Sequence, residues 1–191
     1  MTMRILTLNK KNITDFALER NKLLDKAKSE WLFFVDTDEE ISSSLRDEIN
    51  VVTSDPNNKF SGYFVKRKIY FCGVFAGQDK VLRLARKGAG RWRRSVHEVW
   101  DVKGPTGILK NHLVHNTYSS ISDAVGKINN YSTLHALENE KEGKKVNLFK
   151  IIFFPKIKFV QNILMGRPFV FAILQSFHSF LSWSKLYFLR S

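Results

Sequence analysis

At 191 residues, 43% hydrophobic and 26% charged, the chain can build one real core and carry an appendage. Lys and Arg outnumber Asp and Glu 31 to 18, a net charge of +13, which favours anionic partners: nucleic acid, sugar phosphates or anionic membrane. The single cysteine, Cys72, excludes an internal disulfide, fits a reducing compartment and is expected to be a small buried hydrophobe. The opening MTMRILTLNKKNITD has no uninterrupted apolar run and carries Lys10 and Lys11, so a cytoplasmic protein is expected.

Residues 3–8 (MRILTL) predict a short strand. Thr14 or Asp15 caps a helix running to about Lys28, with Phe16, Leu23, Leu24 and Ala27 on its apolar side. WLFFVD at 31–36 is continuous apolar rather than alternating, the pattern of a strand buried on both faces of a mostly parallel sheet. Ser42–Ser44 start a second helix, with Leu45, Ile49 and Val52 on one side, and SDPNN at 54–58 is a turn. Shorter, partly antiparallel strands follow at 62–71, 79–88, 94–100 and 108–114, and then a helix at 120–139 with Ile121, Val125, Ile128, Tyr131 and Leu134 on one stripe. This order predicts an α/β core with a mixed-sheet second half over residues 1–140. Residues 141–191 differ: nine Lys/Arg stand against Glu142 alone, interleaved with many aromatics, and no charge lies between Arg167 and Lys185. That uncharged gap is short and polar for a transmembrane span, so the expectation is a basic, aromatic helical tail lying on an anionic membrane surface; a helical hairpin covering the core is the plainer alternative.

The strand at 31–36 ends in Asp36, Asp38, Glu39 and Glu40. If strand geometry persists, Asp36 and Asp38 point to the same side, a hard-oxygen site for Mg²⁺ or Mn²⁺ at the sheet edge where open α/β sheets bind ligands. Such an ion can bridge to a diphosphate and stabilise it as it leaves. Glu39 and Glu40 are read as acids opening the next helix. A haloacid-dehalogenase reading of Asp-x-Asp fails, because Glu40 stands where Thr or Val belongs and no Gly-Asp-x-x-x-Asp follows.

The ordered set DFALERNKLLDKAKSEWLFFVDTDEEIS (15–42), GYFVKRKIYFCG (62–73), LRLARK (82–87), VHE (96–98) and LVHNTYSS (113–120) resembles glycosyltransferase family 2, in its branch of lipopolysaccharide-core glucosyltransferases. The resemblance implies a GT-A-like mixed sheet flanked by helices and a metal-dependent, inverting hexosyl transfer from a nucleotide sugar, a UDP-sugar, to a glycan or lipid-linked acceptor. Asp38 would hold the metal on the donor diphosphate, with Asp36 beside it or near the ribose, and His115 would be a third metal ligand or phosphate contact. Arg20 and Asn21 would sit near the nucleotide or brace the Asp strand, and Arg83 would lie near the site floor or the phosphates. Glu98 of VHE would be the general base and His97 its neighbour, structural or supporting. The arginines of RWRR at 91–94 are candidates for acceptor phosphates or for a solvated basic edge, and His112, His135 and His178 are read as structural. The family's preceding strand–helix–strand unit, with its acidic Gly-Ser-Thr-Asp nucleotide loop, has no counterpart in this sequence, so an N-terminally truncated domain is expected. The implied setting is cytoplasmic, peripheral to the inner face of the cell membrane, in envelope polysaccharide synthesis. The alternative is a non-catalytic transferase remnant that docks on membrane or on a partner chain. Nucleic acid is not an expected partner, since no RNP-like, zinc-finger or helix-turn-helix signature is present.

Overall fold

A computed structural model describes residues 3–10, 13–95 and 98–190. They divide into two units, one of residues 1–69 and 78–115, the other of residues 70–77 and 116–191.

The first unit is built on WLFFV. Strand β1 (Met3–Thr7) pairs in parallel with β2 (Trp31–Val35), linked by helix α1 (Phe16–Lys26). All five residues of β2 are buried because alternate side chains serve two separate cores. Trp31, Phe33 and Val35 pack with Leu45 and Ile49 of α2 (Ser43–Ser54); Leu32 and Phe34 pack with Ala17 and Leu24 of α1 and with Trp92 and Trp100. Burying each such side chain stabilises the fold by roughly 1.5–3 kcal/mol, so β2 is its energetic centre. Both helices start where the sequence supplies a cap: Asp15 Oδ1 accepts from the Leu18 N–H at 2.8 Å, and Ser42 Oγ accepts from the Leu45 N–H at 3.2 Å.

The remaining strands are β3 (Glu39–Ile41), β4 (Gly62–Phe71), β5 (Val74–Arg86) and β8 (Thr106–Tyr118), giving a six-stranded mixed sheet in the order β1-β2-β5-β4-β8-β3. With helices on both faces of that sheet, this is an α/β architecture consistent with the GT-A-like expectation. β6 (Gly90–Arg93) and β7 (Val99–Val102) form a separate two-stranded ribbon, with Trp92 stacked on Trp100 at 5.2 Å. Where one strand is expected at 94–100, the chain therefore makes an antiparallel pair, register Trp92↔Trp100.

The second unit holds the ends of β4, β5 and β8 and three helices: α3 (Ile121–Lys141), α4 (Leu148–Leu164) and α5 (Phe169–Arg190). The β4–β5 turn is Cys72–Gly73, both in the left-handed region (φ 46° and 79°), as a two-residue hairpin of this twist requires. Cys72 is exposed there, against the expectation of burial: a turn apex has no core to enter. The stripe expected on α3 is also corrected. Ile121, Val125 and Tyr131 are exposed; Ile128 is buried as expected, beside Ala124, Ser132 and Ala136, small residues that let α5 approach closely. Lys185 of α5 reaches into that side, its Nζ 2.7–2.9 Å from Asn129 O and Oδ1, Ser132 Oγ and Thr133 Oγ1.

Candidate active site

β2 ends at Val35, and the chain turns at once. The Glu39 N–H donates to the Asp36 carbonyl at 3.0 Å, and the Asp36 N–H donates to Glu39 Oε2 at 3.0 Å. Strand geometry therefore stops before Asp38, and the two aspartates take different partners. Glu39 does not open the next helix. It starts the short strand β3, antiparallel to β8, with a fully buried carboxylate.

Three arginines from three elements meet these acids. Arg20 of α1 donates from Nη2 to Asp36 Oδ1 (2.5 Å) and from Nε to Glu98 Oε1 (3.0 Å). Its guanidinium is buried over the rings of Trp92 (4.7 Å) and Phe34 (5.6 Å). Arg83 of β5 donates from Nη2 to Asp36 Oδ2 (2.5 Å) and Glu39 Oε1 (2.6 Å). Arg67 of β4 donates to Glu39 Oε1 (3.0 Å) and grips Asp79 with Nε and Nη2 (3.0 and 2.7 Å). Burial pushes the Asp36 carboxyl up, but the guanidiniums of Arg83 and Arg20 overcome it and hold it at about 2. Burial likewise pulls Arg83 down, and the Asp36 and Glu39 carboxylates more than reverse that. Asp36 thus stays ionised at any physiological pH, inside a network of three guanidiniums and four carboxylates, Asp36, Glu39, Asp79 and Glu98.

Asp38 lies on the turn, more than a third exposed, with Oδ2 3.2 Å from His115 Nε2. His115 is the register partner of Glu39 across β3 and β8. Two donor atoms at neighbouring corners of an octahedron with 2.1 Å bonds stand about 3 Å apart, so this pair has the spacing of one edge of a coordination sphere. Carboxylate oxygen and imidazole nitrogen suit Mn²⁺, and the oxygen alone suits Mg²⁺. Among the described residues no three His, Cys, Asp or Glu side chains converge as a metal cage. An ion here would take its other ligands from water or a phosphate-bearing substrate, the usual habit of Mg²⁺.

The structure brings Arg20, Asp36, Arg83 and Glu98 into one bonded cluster and sets Asp38 with His115 as a second pair. Asn21 is engaged elsewhere: its Nδ2 donates to Trp92 O (2.9 Å) and its Oδ1 accepts from the Trp92 N–H (3.0 Å), so it pins β6 rather than the Asp strand. His97 lies outside the described residues. Of RWRR, Arg91 pairs with Asp25 and Arg93 with Asp101, both at the surface. Sequence reading misses Glu39, Arg67 and Asp79. Arg67 was findable: it falls in phase with Tyr63, Val65 and Ile69 on the inward side of β4, where a cation demands carboxylates.

No protein-family model matches the chain. Over 187 residues it is 27% identical to the lipopolysaccharide core biosynthesis glycosyltransferase LpsC of Rhizobium meliloti, covering 90% of this chain and 69% of that protein. It is 28% identical over 181 residues to an uncharacterized glycosyltransferase of Rickettsia prowazekii, and 27% identical over 181 residues to one of Rickettsia typhi. Those two alignments take in 83% of this chain but only 62% of either relative, so the chain spans less than two thirds of their length. These relatives support a glycosyltransferase role.

Proposed function

We propose that the chain is the catalytic part of a metal-dependent, inverting hexosyltransferase of the family-2, GT-A type. It moves a sugar from a nucleotide donor, a UDP-sugar, to a glycan or lipid-linked acceptor in envelope polysaccharide synthesis, at the inner face of the cell membrane. The observation that supports this most is Arg20: one buried guanidinium bonds both the strand-end Asp36 and Glu98 of VHE, gathering residues 62 positions apart in sequence (98 − 36) at one sheet edge.

Asp38 and His115 would hold a divalent cation, which when bound neutralises charge on the diphosphate leaving group. Arg20 and Arg83 keep Asp36 ionised and fix the loop that carries Asp38. Glu98 takes the proton of the acceptor hydroxyl as its oxygen attacks the anomeric carbon and the bond to the diphosphate breaks on the opposite face. Arg20 orients Glu98 for this by holding Oε1.

The test is release of the nucleoside diphosphate from a panel of UDP-sugars with Mn²⁺ and acceptor present. Glu98→Gln should lower turnover by about 10²–10⁴-fold with donor affinity retained. Asp38→Asn should remove the Mn²⁺ dependence. Wild-type turnover by Glu98→Gln would exclude Glu98 as the base.

A further inference from the structure

The α4–α5 hairpin leaves much apolar surface uncovered. On α5 the exposed positions include Phe169, Ile173, Phe177, Phe180, Tyr187 and Phe188, spaced to fall on one stripe of the helix. On α4 they include Phe149, Ile152, Phe153, Val160 and Leu164, again one stripe. Leu164 is 82% and Phe188 77% accessible, values a soluble helix does not give core-type residues without a reason. The opposite side of α5 is already occupied: it packs on α3 through Lys185 and through His178, stacked on His135 at 5.7 Å. These stripes therefore face outward because the other faces are used.

Charge selects the occupant. From 141 to 190 the cations Lys141, Lys144, Lys145, Lys150, Lys156, Lys158, Arg167, Lys185 and Arg190 face one acid, Glu142. The α5 stripe itself carries none of them, and Arg167 and Arg190 bracket it. Lys156 emerges within the α4 stripe with Nζ 5.4 Å from the Phe153 ring centre, its stem along apolar surface and its charge at the rim. A second copy of the chain would bring two cation-rich faces together. A phospholipid surface offers anionic phosphates for the lysines and acyl chains for the phenylalanines. Among the described residues no helix is long and apolar enough to cross a membrane, so the geometry is that of a hairpin lying in the interface.

We propose that α4 and α5 form an anionic-membrane docking surface, with the apolar stripes sunk to the acyl boundary and the flanking Lys and Arg on headgroup phosphates. This gives the membrane association in the proposed function a named surface. Its test needs no sugar transfer, so either can fail alone. The full chain is floated with vesicles of phosphatidylcholine plus phosphatidylglycerol, and with phosphatidylcholine alone. It should bind the anionic vesicles, less so as salt rises, with affinity falling about fivefold for Lys156→Ala. Ile173→Glu with Phe177→Glu should abolish flotation while leaving the far-UV circular dichroism unchanged, since both side chains are exposed. Absence of flotation with anionic vesicles overturns the proposal, as does wild-type flotation by the double variant. Stripe-dependent dimers in sedimentation without vesicle binding would assign the surface to a second copy and overturn it equally.

Discussion

Arg83→Met removes the guanidinium that Asp36 and Glu39 share. Its Nη2 stands 2.5 Å from Asp36 Oδ2 and 2.6 Å from Glu39 Oε1, and the Glu39 carboxylate is fully buried. Burial pushes Asp36 up, yet Arg83 and Arg20 together lower it from 3.8 to about 2, worth roughly 2 kcal/mol at about 1.36 kcal/mol per unit. An even share gives Arg83 about 1 kcal/mol at Asp36, and a charge-assisted bond to buried Glu39 adds about 1.5–3 kcal/mol. The expected destabilisation at neutral pH is therefore about 3–4 kcal/mol, inside the range for stripping one partner from a buried ion pair. Urea unfolding followed by tryptophan fluorescence measures it, because Trp31, Trp92 and Trp100 lie in the same unit as the network and only Trp183 in the other. Acid gives an independent signature. A carboxylate lowered in the folded state stabilises fully above its ordinary value of 3.8, and that contribution is lost as pH falls through about 2. The wild type should lose stability across that window, and Arg83→Met should lose less of it. A cost below about 1 kcal/mol, or an unchanged acid limb, would refute the claim that this arginine neutralises the strand end.

Gly90→Ala should open the β6–β7 ribbon, since a Cβ there would stand 2.0 Å from the Asp101 carbonyl oxygen; thermal unfolding should report a loss of about 1–3 kcal/mol. Ser120→Ala removes the hydroxyl that accepts from the Asp123 N–H at 3.1 Å, and should cost about 1 kcal/mol in urea, with Ser120→Thr restoring most of it. His115→Ala should weaken Mn²⁺ binding by about tenfold or more in calorimetry with UDP present, and an unchanged affinity would remove His115 from the metal site.

Much of the first unit is legible in the chain because local patterns agree with the tertiary result. The unbroken WLFFV can only be a strand covered on both sides, and Ser42 before a Leu45–Ile49 repeat can only cap a core-facing helix. What sequence hides are pairings set at a distance. Glu39 looks like a helix-opening acid until β8 pairs with it, and Asp36 and Asp38 look like one ligand pair until the turn gives them different partners. The α3 stripe misleads for a different reason. Large apolar residues mark a core face only where space allows, and α5 lies close enough that Ala124, Ser132 and Ala136 fill it instead. Arg20, Arg83 and Glu98 were found as chemistry-bearing types, but their common meeting point at Asp36 rests on three elements no local pattern relates.

The turn after β2 closes on itself, with the amide of Asp36 held by the Glu39 side chain and the amide of Glu39 held by the Asp36 carbonyl. Asp38 sits between two fastened ends. The entropy of ordering this loop is incurred when the chain folds, not when a ligand arrives. Under the proposed function, a cation or diphosphate reaching Asp38 would meet a carboxylate already in place, so its affinity would not be diluted by unproductive loop conformers and its capture would be limited by encounter rather than rearrangement.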